Sequence, residues 1–308
     1  MRTTTAWVSG VAMGLVLVCG ARWAQAAVPA ATAPTPSEIV ETAGPAAWRD
    51  VAPEDLVVMK LADGATVVYQ LAPDFAPVHV ANIRQLVRSG FFNGAVILRV
   101  QDGYVVQWGR PDEDKTVAQG ITAHPAAEYE MPVTDLAAKG VVFKPLPYRD
   151  TYAKATGYAM SWPVASDGKD AWLVHCYGMI GVARDVAPDT GDATQLYTVI
   201  GQAPRHLDRN LAVVGRVLSG MDRLAARPRG TETLGFYKDG PERTQIVTAS
   251  IGSDLVPGDQ PHWQVLDSDT PTFDAWVSAK ANRSGAFFVR PAGATDVCNV
   301  MPPVREKP

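Results

Sequence analysis

Within residues 91–109 Arg99 and Gln107 stand on two largely apolar strand-like runs. Those two side chains are the first place to look for chemistry. A guanidinium stays charged at physiological pH and carries its donors in fixed directions, so it suits charge-assisted hydrogen bonding that needs neither metal nor covalent step. Taken alone, an outward arginine on a strand is a solvated or ion-paired surface group. Other chemistries fare worse. His175 and Cys176 are neighbours, and adjacent residues on a strand project to opposite faces, which defeats a base and nucleophile pair. There is no Gly-x-Ser-x-Gly elbow, and the five histidines lack His-Glu-x-x-His or Cys-x-x-Cys company, so no metal and no cofactor are expected. Asp112, Glu113 and Asp114 form an acidic turn of the solvated kind.

Strand geometry decides whether Arg99 and Gln107 meet. Alternation sends Val96, Leu98 and Val100 to one face and Ile97, Arg99 and Gln101 to the other. A two-residue turn at Asp102-Gly103 would set Arg99 beside Tyr104 and Val106. Bringing it to Gln107 requires one extra residue, which a bulge near Gly103 would supply.

The elements that must position this hairpin read as mainly β. Residues 56–61 and 66–71 are strand-like runs around an Asp63-Gly64 turn. Asp74 and Pro77 offer a cap and a first-turn proline to a helix with Val80, Ile83, Leu86 and Val87 on one side and Gly90 at its end. Further strand-like runs are 96–101, 104–108, 173–182, 194–200, 211–218 and 246–251. Many short strands and few helices point to a closed antiparallel barrel. Residues 111–172 are proline-punctuated and without clean period, which reads as an extended surface insertion rather than a second core. After residue 252 an extension continues to 308, with a helix opening at Thr270-Pro271, carrying Phe273, Trp276 and Val277 on one face, and a short strand at 287–289.

The N-terminus reads as a secretory signal peptide over residues 1–26: an early arginine, an apolar run to Cys19, then Ala24-Gln25-Ala26. Residues 27–52, rich in Ala and Pro, read as a flexible leader, so structure is expected to begin near Glu54. Cleavage removes Arg2, Arg22 and no acid, moving the formal charge from −4 to about −6, a poor match to nucleic acid. No later run is long and apolar enough for stable membrane insertion, so the expected location is outside the cytoplasm, in a periplasm. Cys176 and Cys298 then remain in a compartment that permits disulfides, either bridged or as two buried thiols.

The hairpin resembles the signature of cyclophilin-type peptidyl-prolyl isomerases, with Arg99, Gly103, Tyr104, Gln107 and Gly109 at matching places. Two further regions agree in order: residues 178–184 with 193–201, similar to the family's Gly-x-x-x-Met-Ala run and Ser-Gln-Phe-Phe-Ile strand, and residues 206–222, similar to Leu-Asp-x-x-x-x-Val-Phe-Gly-x-Val-x-x-Gly-Met. With residues 71–73 and 76–82, the resemblance spans roughly 55–252. It implies an eight-stranded closed barrel over 53–252, the insertion and the extension 253–308 lying outside it.

The implied reaction is rotation about X-Pro bonds of proline-containing polypeptides. Arg99 would hydrogen-bond the prolyl nitrogen in the twisted form, and Gln107 and Gln195 would orient peptide and arginine. Tyr104, Val105, Tyr197, His206, Leu207 and Leu211 would make the apolar seat, and the backbone at Ala183 and Arg184 would pair with the substrate chain. Departures are concentrated in the pocket wall. Leu98 and Ile97 stand for His and Phe, Val105 for Met, Tyr197 for Phe, Leu211 for His and His206 for Trp, while Trp108 and Arg110 replace Gly and Asp. The implied function is assistance to folding of exported proteins, the competing class being a non-catalytic module that grips proline peptides.

Overall fold

The computed structural model describes residues 33–307 apart from Lys115, Asp239 and Ala286. The cleavage pattern of residues 1–26 and the first residues of the leader lie outside that range. Among the described residues no helix is long and apolar enough to cross a membrane.

Eight antiparallel strands form the main sheet, in the order Ile246–Ile251, Leu56–Leu61, Thr66–Leu71, Val213–Ser219, Met179–Val182, Gln195–Val199, Val105–Gly109, Val96–Val100. Its two outer strands meet along a short seam. Val96 bridges Gln245, the Ile97 N–H donates to the Thr244 C=O at 2.9 Å, and the Ile246 N–H donates to the Ala95 C=O at 2.7 Å. The sheet thus curls back on itself into a nearly complete barrel, which removes its exposed edges. Alternation fills the inside: Val57, Met59 and Leu61 face Val67, Tyr69 and Leu71 in one core. The helix Pro77–Arg88 covers one end with Val80, Ile83 and Leu86 and stops at Gly90, whose φ of +73° is a left-handed value that glycine adopts without penalty.

That helix starts differently from its sequence pattern. Asp74 is not its cap; the N-cap position is Ala76, with no side-chain bond. The carboxylate of Glu128 accepts instead from the Val78 and His79 backbone N–H groups at 2.9 and 3.0 Å and pairs with His79 Nδ1 at 2.6 Å. A residue from the 111–172 segment therefore satisfies the free donors of the helix, an arrangement no local pattern encodes.

The 111–172 segment is also not a surface insertion. It supplies most of a second sheet in the order Met131–Pro132, Asp170–Leu173, Trp162–Ser166, Ala155–Ala159, Lys144–Pro145. The leader is ordered from its helix Pro36–Glu41 onward, and its strand Trp48–Asp50 joins Trp263–Leu266 and Val304–Glu306 in a third sheet. The helix Pro271–Ala281, capped by Thr270, buries Phe273, Trp276 and Val277 as its pattern indicated. All of these pack into a second core that includes Trp48, Leu136, Tyr158, Trp162, Phe273 and Val300. Residues 287–289 form no strand, and Phe287 and Val289 are exposed. The 173–182 run is split: Leu173 ends a strand of the second sheet and Met179 begins one of the barrel. Between them Cys176 is bonded to Cys298, joining the link to the C-terminal segment.

Candidate active site

Arg99 and Gln107 stand directly opposite each other on the hairpin. Pairing of Val100 with Val106, and the Gln101 N–H bond to the Val105 C=O, leave residues 102–104 as the loop, one residue longer than a two-residue turn, with Gly103 at φ +60°. A second irregularity at Leu98 returns the register, so that Ile97 pairs with Trp108. The bulge also changes which side chains face inward. Ile97 and Val100 share the barrel core and Leu98 does not belong to it, contrary to strict alternation from Val96.

The Arg99 guanidinium is held on three sides. Its Nε donates to the Leu234 C=O at 2.7 Å, one terminal nitrogen reaches Gln107 Oε1 at 3.4 Å, and the other bonds Gln101 Oε1. Among the described residues three of its five N–H donors are engaged, which leaves one on each terminal nitrogen for an incoming group. The rings of Tyr104 and Phe236 lie 5.6 and 5.3 Å from its central carbon. Burial draws its pKa below the ordinary arginine value, from which it remains cationic. Gln107 in turn donates from Nε2 to Gln195 Oε1 at 2.7 Å, so the two glutamines and the arginine form one line of polar groups.

Beside that line lies an apolar seat. Val105, Tyr197 and Val199 are buried together, with Tyr104, Ala183 and Leu211 packed against them at partial exposure. A cleft of about 750 Å³ opens above, lined by Arg99, Tyr104, Val105, Gln107, Ala183, Arg184, Gln195, Tyr197, Leu207 and Leu211. Ten of the eleven residues expected at the site thus converge on one concavity. His206 does not line it; its ring stacks on Tyr104 at 6.1 Å and supports that wall. The Ala183 N–H is already given to the Gln195 C=O at 3.0 Å, so pairing with a substrate chain falls to its carbonyl. Arg184 is tied to the Asn210 and Asp185 carbonyls.

Other lining residues carried no sequence signal. Leu234 and Phe236 come from a loop that folds back along the hairpin, where the Tyr237 N–H donates to the Leu98 C=O at 2.9 Å. Ala123 and His124 bring the 111–172 segment to the rim. Among the described residues no group of three or more His, Cys, Asp or Glu converges as a metal would require.

Residues 56–249 match the family model described as cyclophilin type peptidyl-prolyl cis-trans isomerase/CLD. The chain is 29% identical over 202 residues to a probable peptidyl-prolyl cis-trans isomerase of Brucella suis biovar 1, covering 66% of this chain and 85% of that protein. Peptidyl-prolyl cis-trans isomerase B of Bacillus subtilis is 39% identical over 62 residues, 20% of this chain and 43% of that protein. The crystal structure of cyclophilin AquaCyp293 from Hirschia baltica aligns with a TM-score of 0.63 at 27% identity, covering 84% of this chain and 92% of that one. That alignment takes in more of the chain than the family match does.

Proposed function

This chain belongs to the cyclophilin-type peptidyl-prolyl cis-trans isomerase family, and we propose that it turns X-Pro bonds of exported polypeptides in the cell envelope, aiding their folding. The observation that carries this reading is the Arg99 guanidinium set at the edge of an open apolar seat, with donors still to offer. Rotation about an X-Pro bond meets a barrier of about 18–20 kcal/mol because nitrogen and carbonyl are conjugated. As the bond twists, the nitrogen lone pair leaves conjugation and becomes a hydrogen-bond acceptor. A fixed cation beside it favours that form over both planar ground states, which is what acceleration requires.

In this reading the pyrrolidine ring lies on Val105, Tyr197 and Leu211. Gln107 holds the guanidinium from one side and is itself aimed by Gln195. The reaction uses no proton transfer and no covalent bond to the protein. Support for export comes from the signal-like residues 1–26 and from the Cys176–Cys298 bridge, since such bonds persist in oxidising compartments.

The test is a protease-coupled assay on a short X-Pro peptide with the wild-type protein and Arg99→Ala, together with fractionation of the full chain expressed in a two-membrane bacterium. Acceleration lost in the variant and a processed chain in the periplasmic fraction are expected. Peptide binding without acceleration would instead favour a module that only grips proline segments.

A further inference from the structure

Tyr197, whose ring floors the cleft, has a hydroxyl that does not face it. The oxygen lies over Gly181, where an added Cβ would stand 2.2 Å from it, and its partner is His175 Nε2 at 2.8 Å. His175 Nδ1 is 2.9 Å from Asp208 Oδ1, which also accepts the His175 backbone N–H at 3.0 Å. Asp208 Oδ2 accepts from Arg205 Nε at 2.6 Å, and Arg205 makes two bonds to the Asp150 carboxylate at 2.9 and 3.1 Å. The side chains of His175, Asp208, Arg205 and Asp150 are all at least nine-tenths buried. No step of isomerisation uses any of them.

We propose that His175 is a positioning residue for the prolyl seat, and that Asp208, Arg205 and Asp150 hold it in place. This deepens the function proposed above and rests on it. A carboxylate can only accept, so Nδ1 carries a proton toward Asp208, and in the neutral imidazole Nε2 then offers its lone pair to the Tyr197 O–H. The tyrosine is thereby turned so that the seat presents only its aromatic ring, and a phenol that would otherwise offer a polar group to a pyrrolidine is satisfied in the interior.

The same network ties two walls together. Asp208 lies in the segment that contributes Leu207 and Leu211 to the cleft, while Tyr197 belongs to its floor and His175 lies buried behind that floor, bonded to the Tyr197 hydroxyl. Asp150 comes from the 111–172 segment, so the segment that supplies the second sheet is tied through Arg205 to the wall of the cleft.

The experiment compares wild type, His175→Leu, Tyr197→Phe and the double variant, with kcat and KM resolved on an X-Pro peptide and the Kd of a non-turning proline peptide measured by NMR titration. His175→Leu should lose roughly tenfold in kcat/KM, carried by KM, because a buried hydroxyl is left without its acceptor. Adding Tyr197→Phe should restore most of that loss, since the group needing the acceptor is gone. An unchanged KM in His175→Leu, or a double variant as impaired as the single, would overturn the proposal.

Should His175→Leu fail to fold, the imidazole nitrogens of the wild-type protein decide the matter. A protonated Nδ1 and an acceptor Nε2 with a slowly exchanging tyrosine hydroxyl are expected in the 15N spectrum, and the opposite tautomer would refute the arrangement. A wild-type protein with no isomerase activity would overturn the function proposed above instead. The positioning of the seat would then still be read from the peptide Kd, rising in His175→Leu and recovering in the double variant.

Discussion

Gly109 is the reason Gln195 can reach Gln107. The two residues 109 and 195 are strand partners, and an added Cβ at 109 would stand 2.7 Å from Gln195 Cγ and 2.8 Å from the Thr194 C=O. Real Cβ atoms do not approach so closely, so Gly109→Ala must push Gln195 aside or part the strands. The 2.7 Å bond from Gln107 to Gln195 then lengthens, and the arginine loses its second support. The expected result is about a tenfold fall in kcat/KM, with a loss of stability of about 1–3 kcal/mol from the crowding. Steady-state kinetics and denaturant titration on the same preparation would check both.

Arg99→Ala removes the cation and leaves the seat. A donor that acts only on the twisted amide contributes to rate rather than to binding, and removing one such donor typically costs 10²–10³-fold. KM and Tm should stay close to wild type, because the side chain is only partly buried and its partner Leu234 C=O lies on an exposed residue. A fall in Tm as large as the fall in rate would indicate that Arg99 supports the loop and not the reaction. Arg99→Lys should recover little, since an ammonium cannot reproduce the three directed bonds of the fork.

The sequence disclosed the barrel far better than the rest, for a physical reason. Runs such as Leu56–Leu61 and Thr66–Leu71 bury one side against a single core, so their alternation survives in the residues. Strand Trp162–Ser166 is buried along its whole length, and Met131–Pro132 and Lys144–Pro145 are two residues long with prolines in them. Neither kind leaves a period to detect. The same contrast holds at the site. Arg99, Gln107 and Gln195 stand out as polar residues on apolar strands. Phe236 comes to the cleft from a loop with no regular spacing, and His175, read as part of one strand over 173–182, lies instead in the link between two sheets, behind Tyr197. Leu98 shows the limit within a strand: one bulged residue exchanges the inward and outward sets, and only the hydrogen bonds reveal it.

Glu128 gives the helix Pro77–Arg88 an acid-sensitive cap. Burial alone would raise its pKa, but the bonds from the His79 side chain and from the backbone of His79 and Val78 outweigh it and hold the carboxyl below its usual value. A group whose folded pKa is depressed stabilises the protein above its unfolded pKa, near 4.3, and that contribution is lost as the pH falls through the folded value. Thermal melts between pH 7 and pH 3 should therefore show a steeper acid loss in wild type than in Glu128→Gln. At neutral pH the glutamine variant should be less stable by about 1 kcal/mol, the usual worth of a helix cap. Parallel pH curves would refute the assignment.

Cys176 and Cys298 close a loop of 122 residues that contains much of the barrel. Constraining so long a segment of the unfolded chain is worth about 2–4 kcal/mol in typical proteins. Cys298→Ser should lower the denaturation free energy by that amount. Intact mass should show a two-proton increase on reduction of the wild-type chain and none in the variant. Because Cys176 follows His175 directly, the variant also asks whether the bridge supports the prolyl seat. An increase in KM in Cys298→Ser, smaller than that in His175→Leu, is the expected outcome.

Arg216 joins the barrel to the second core. It lies on strand Val213–Ser219 with 2% of its surface exposed, and among the described residues no carboxylate pairs with it. Its charge is met by dipoles instead: Gln70 Oε1 accepts from two of its nitrogens at 3.0 and 2.8 Å, the Ser161 C=O accepts from the third at 2.8 Å, and the ring of Trp162 lies 4.4 Å away. Burial draws its pKa well down, to about 9. Arg216→Met fills much the same volume and removes the buried charge, yet it leaves the Ser161 carbonyl and Gln70 oxygen without donors. The second effect should win, since leaving the buried Ser161 carbonyl unsatisfied costs about 1–3 kcal/mol and the half-buried Gln70 oxygen loses two donors besides. A net loss of about 2–4 kcal/mol is expected, restored in part by Arg216→Met with Gln70→Leu, which removes one of the orphaned acceptors. If the single variant is instead more stable than wild type, the guanidinium is a burden on the junction and not the bond that holds it.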